Sequence, residues 1–95
     1  MTPEHLKASS AVTISHLSGA RLYLPLRLGS EEAKQMHEQF NEYMDQIELD
    51  LALDAAESLG SACNAPPEFW TELQLAAASM QLTDNEARYA ALAAA

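Results

Sequence analysis

From Gln35 to Ala87 the chain has no lysine or arginine, yet that stretch holds eleven of its fourteen carboxylates. A surface so short of cations has little to offer a phosphate backbone and favours partners of positive charge. Cysteine is nearly absent as well. Cys63 stands alone, which excludes an intramolecular disulfide and a cysteine-based zinc cluster and points to a reducing compartment. With only three glycines there is no glycine-rich loop to cradle a phosphate. No stretch approaches the roughly 20 apolar residues needed to span a bilayer, and Met1-Thr2-Pro3-Glu4 does not open a basic segment followed by an apolar run. The expectation is a soluble, cytoplasmic protein.

What is present argues for folding. Hydrophobic residues make up 48% of the 95 positions against 20% charged, a balance that opposes disorder. That length suits one small acidic domain over residues 1–95, with burial of roughly 60–70% of the unfolded surface. Charge is segregated along it: residues 1–34 carry about +1 and the remainder −10, for a net −9. No repeat of 20–50 residues is evident.

Leucine at 22, 24, 26 and 28 alternates with Arg21, Tyr23, Pro25 and Arg27, the period of a half-buried strand. Pro25 would place it at an edge or a bulge. Val12, Ile14 and His16 alternate ahead of Ser18-Gly19, so residues 11–28 are expected to form a β-hairpin, with a helix from Thr2 and Pro3 to about Leu17 as the competing reading. Ser30 reads as the N-cap of a helix with Glu31 and Glu32 in its first turn. Its apolar stripe is Ala33, Met36, Phe40, Tyr43, Met44, Ile47 and Leu51, opposite Glu31, Glu38, Glu42 and Asp45. Beyond Glu48 the pattern changes phase. Leu49, Leu53 and Ala56 take the sector the acids held, so either the helix breaks near Glu48 or its later half packs on a different side; with no glycine, proline or cap residue to mark a break, the preferred reading is one continuous helix of about 45 Å. Asn64-Ala65-Pro66-Pro67 ends it and starts a helix whose stripe is Phe69, Trp70, Leu73, Ala76, Ala77 and Met80. Thr83-Asp84-Asn85-Glu86 matches a capping box, with Leu82 placed to staple onto Ala87. The fold expected is α+β but mostly helical: an N-terminal β-hairpin, or a helix plus a strand, packed on about three helices, one of them long.

Catalytic chemistry finds little support. His5, His16 and His37 are scattered, no metal-ligand spacing joins them to acids or cysteine, and no calcium loop is present. Cys63 falls near a helix C-terminus among carboxylates, where thiolate formation is disfavoured. The carboxylate pairs repeat along a helical face and do not converge. The chain reads as a non-enzyme without cofactor or metal.

Arg21, Tyr23 and Arg27 on a strand ahead of helices resemble the ribbon-helix-helix DNA-binding fold over about residues 20–45. That resemblance implies a dimeric regulator whose paired strands enter the major groove. Pro25, the missing turn after the following helix and the acidic bulk of the chain depart from it. The reading preferred on charge is a protein-binding module or inhibitor that engages a basic surface of a partner, one that itself binds nucleic acid being a good fit. Phage anti-defence, immunity and acidic chaperone or adaptor proteins are similar in character. The residues expected to carry it are Glu38, Glu42, Asp45, Asp50, Asp54 and Glu57. Several of these are like-charged pairs at three- or four-residue spacing, each worth roughly 0.2–0.5 kcal/mol of repulsion that a cationic partner would relieve. A homodimer is expected too, because the leucines at 22–28 and a long amphipathic helix exceed what a 95-residue core readily covers.

Overall fold

Thr13, Leu17 and Ala20, spaced four and three apart, are buried to 1% exposure or less. That is the stripe of a helix, and the computed structural model has one there. It describes residues 3–24 and 29–95, with side chains from Ser10 onward. The elements are α1 (Pro3–Arg21), α2 (Glu31–Asp45), α3 (Leu49–Cys63), α4 (Pro67–Ser79) and α5 (Thr83–Ala94). No strand occurs among the described residues, so the expected α+β fold with an N-terminal hairpin is corrected to an all-helical one. Over residues 11–21 the alternation of Val12, Ile14 and His16 is coincidental, and the spacing that buries Thr13, Leu17 and Ala20 prevails. Leu22 lies in a turn and is 83% exposed, while residues 25–28 of the expected strand lie outside the described residues.

The Ser18-Gly19 pair was expected to turn the chain. Gly19 instead lies inside α1 against the Glu72 side chain of α4: a Cβ at that position would stand 2.7 Å from Glu72 Oε2, the far end of a flexible side chain. Across the same seam Thr13 Oγ1 and Ser79 Oγ hydrogen-bond at 2.5 Å.

The expected long helix is two helices. Gln46, Ile47 and Glu48 separate them, and Ile47 adopts φ 57°. The Glu48 amide donates to the Tyr43 carbonyl (2.9 Å) and the Ile47 amide to that of Met44 (3.1 Å), the two bonds of a Schellman motif. The same closure ends α4, where Gln81 has φ 61°, Leu82 donates to Ala77 and Gln81 to Ala78. Asn64, φ 52°, fills the left-handed position after α3. These turns use no glycine, so the first of them was missed. The change of phase after Glu48 is thus a change of helix, and Ile47 and Leu51, expected in the buried stripe, are 60% and 41% exposed.

Other local signals hold. Ser30 Oγ accepts from the Ala33 amide at 3.1 Å as the N-cap of α2, and Pro67 opens α4. The capping box does not form: Thr83 is the first residue of α5 and Leu82, in the cap position, makes no side-chain cap bond. Gly60 does not break α3 either. It is buried within it, beneath the Phe69 ring.

α1 packs along α4, α2 along α3 and α4 along α5, with α3 also meeting α1 and α4. The shortest dimension, 19 Å, is two helix layers deep. The core joins Leu17, Phe40, Leu53, Phe69, Trp70, Leu73 and Tyr89 with Ala20, Ala52, Ala56, Ala76 and Ala77. Those alanines allow close approach of the helices. Phe69 meets Trp70 edge-on at 5.2 Å and Trp70 stacks on Tyr89 at 6.0 Å, so the three rings bind α4 to α5.

Candidate partner-binding surface

The short Schellman turn folds α2 and α3 into an antiparallel hairpin. Ala33, Phe40 and Met44 of α2 and Leu49, Ala52, Leu53, Ala56 and Leu59 of α3 turn inward. At about 100° per residue, Glu38, Glu42 and Asp45 then fall on the outer side of α2, and all three are exposed. Asp50 and Asp54 are likewise exposed on α3. Among the described residues none of these five forms an ion pair; Lys34, the cation on α2, lies 3.5 Å from Glu31.

Glu57 is different. Arg88 of α5 grips it with two hydrogen bonds, Nε to Oε2 at 3.0 Å and a terminal nitrogen to Oε1 at 2.6 Å, and the Tyr89 hydroxyl donates to Oε1 at 2.8 Å. The Arg88 guanidinium holds the Glu57 carboxyl below its ordinary range, against the opposing effect of burial. Burial, with the Glu57 charge in support, pushes the Tyr89 phenol up to about 12. Glu57 therefore ties α3 to α5 and is not part of a free acidic face. Nothing local signals such a tether across 31 residues, so the sequence grouped it with its neighbours.

Between α2 and α3 runs an open groove of about 270 Å³. Met36, Tyr43, Leu51 and Ala55 supply its apolar surface, and Gln39, Asp54 and Ser58 its polar surface. Turning at Ile47, the hairpin puts Tyr43 and Leu51 at one end and Met36 and Ser58 at the other. Of the acids singled out from the sequence, Asp54 lines this groove. The groove itself was not anticipated, because Met36 and Tyr43 were placed in the buried stripe; both are only half-buried, at its margin.

A second hollow, about 410 Å³, lies between the end of α3, the start of α4 and the end of α5, where Trp70, Leu92, Asn64 and Pro67 meet. No ionisable side chain lines it. His16 Nδ1 stands 3.1 Å from Glu72 Oε2, joining α1 to α4. Among the described residues no three or more His, Cys, Asp or Glu side chains gather as metal ligands. Cys63 is the last residue of α3, and burial pushes its thiol up. No helix among the described residues is long and apolar enough to cross a membrane. Compared with models of protein families, with curated proteins and with solved structures, the chain matches none.

Proposed function

We propose that the chain is a non-catalytic, cytoplasmic protein-binding module whose α2–α3 hairpin engages a basic surface of another protein. One observation carries this reading: Glu38, Glu42, Asp45, Asp50 and Asp54 are exposed along a single hairpin, and no cation among the described residues neutralises them. Their mutual repulsion weakens the free domain and is relieved by a cationic partner, which gives association both speed and selectivity. Competition with nucleic acid for a basic surface is the natural use of such an array, as inhibitor or adaptor. Direct DNA binding through a paired strand finds no support over residues 21–24, where Arg21 closes a helix and Tyr23 lies in a turn; residues 25–28 lie outside the described residues. A homodimer remains part of the proposal on the exposed apolar side chains of Val12, Leu22 and Tyr23, and sedimentation of the whole chain tests it.

Reversal of Glu38, Glu42 and Asp45 to lysine is the direct experiment on the acidic hairpin. Binding to the basic partner should slow and weaken while the melting temperature holds or rises slightly, because the net charge of −9 is reduced and an acid at the C-terminal end of α2, Asp45, gives way to a cation that the helix dipole favours. Affinity should also fall between about 50 and 500 mM salt as the Debye length contracts from roughly 14 to 4 Å. A partner indifferent to both changes would show that these carboxylates serve only solvation.

A further inference from the structure

We propose that the α2–α3 groove is the seat of a cationic amphipathic helix supplied by the partner, whose apolar stripe lies along Met36, Tyr43, Leu51 and Ala55 while its lysines and arginines meet the flanking acids. The inference rests on the proposed acidic hairpin and names the form of what binds there. Three observations bear on it. The groove's surface is more apolar than polar, with Leu51 41% exposed in the free chain. Its length fits: from Met36 to Tyr43 is seven residues of α2, about 10 Å, which matches the span of an i, i+3, i+7 stripe on a bound helix.

Charge then chooses the occupant. Asp54 lines the groove itself, and Asp50 of α3 and Glu42 of α2 are exposed on the same hairpin. A second copy of this chain, itself at −9, would bring carboxylates to carboxylates. An uncharged apolar segment would leave the acids unpaired beside it. A helix with basic flanks satisfies both the groove and its rim. At the turn end, Ile47 adds a 60% exposed side chain to the apolar surface such a helix can cover.

The experiment uses the whole chain and a synthetic helix of about 14 residues built from lysine, alanine and leucine, with leucines at i, i+3 and i+7. Its control is an isomer of the same composition and charge with the leucines dispersed around the helix. The ordered peptide should bind about tenfold or more tightly than its isomer at about 150 mM salt. Leu51→Glu should erase that preference. This variant makes the surface more negative and puts an acid in the first turn of α3, where the helix dipole accepts it, so charge alone would strengthen binding and the fold should persist by circular dichroism. Equal, salt-sensitive binding of both peptides overturns the groove and leaves the acidic surface standing. No binding of either at about 50 mM salt removes both readings. A dimer of the free chain that Leu51→Glu dissolves would assign the groove to a second copy and likewise overturn the proposal.

Discussion

Gly60→Ala inverts the usual rule that alanine stabilises a helix. Gly60 lies inside α3, and an added Cβ would meet Phe69 Cε1 at 2.3 Å and Cδ1 and Cζ at 3.0 Å. The ring would have to retreat by about 1 Å or more to restore van der Waals distance. It has nowhere to go: Phe69 is 1% exposed and packs at a right angle to Trp70, which stacks on Tyr89. Overpacking of that kind costs about 1–3 kcal/mol, and the upper part applies because a rigid ring is struck. Against it, replacing glycine in a helix interior returns about 0.8–1 kcal/mol. The expected net loss is about 1–2 kcal/mol, or roughly 5–15 °C in melting temperature for a domain of this size. Urea titrations followed by Trp70 fluorescence and by far-UV circular dichroism measure it. In a Phe69→Leu background, which lacks Cε1 and Cζ, the same glycine substitution should become neutral or stabilising by up to about 1 kcal/mol. A Gly60→Ala protein as stable as the parent, or an equal penalty in both backgrounds, refutes the reasoning.

The tether between α3 and α5 should make stability depend on pH at both extremes. Glu57, lowered from its ordinary 4.5, contributes stability above that value that is lost as pH falls through its folded-state pKa, and Glu57→Gln should flatten the acid limb of an unfolding titration. Tyr89, raised to about 12, contributes stability fully present below its ordinary 10 and lost as pH climbs toward 12. Tyr89→Phe should abolish that alkaline loss and, by giving up hydrogen bonds to Glu57 and Asn85, cost about 1 kcal/mol at neutral pH; an unchanged alkaline limb would contradict the assignment. Ile47→Gly should stabilise the chain by about 1 kcal/mol in urea, because it relieves a β-branched residue at φ 57° and gives up a side chain that is mostly in water; a loss of stability would mean that Ile47 packs in the free domain.

Signals confined to a few neighbouring residues were legible in the sequence. Ser30 caps α2 because its hydroxyl reaches an amide three residues on, and Pro67 opens α4 because an N-terminal helix residue needs no amide donor. The stripe from Phe69 to Ala77 is buried as its spacing implied, with Met80 half-buried at its end. The count of carboxylates against lysine and arginine was also in the sequence, and the proposal of a cationic partner starts from it. Where two periodicities competed, tertiary packing decided. Residues 12–16 alternate like a strand, yet Thr13, Leu17 and Ala20 are buried like one face of a helix, and the choice was made by the surface of α4 that those residues cover. The break at Ile47 showed in the sequence only as the change of phase after Glu48, with no glycine, proline or cap residue to mark it, because a left-handed residue other than glycine pays a conformational cost that the packing of α2 against α3 offsets. The fate of Glu57 depended on where α5 returned, 31 residues later, to bring Arg88 and Tyr89 against it. Composition and short-range hydrogen bonding thus determined the chemistry of this surface, while which acids remained free, and the groove between them, came from contacts between helices that the order of residues does not encode locally.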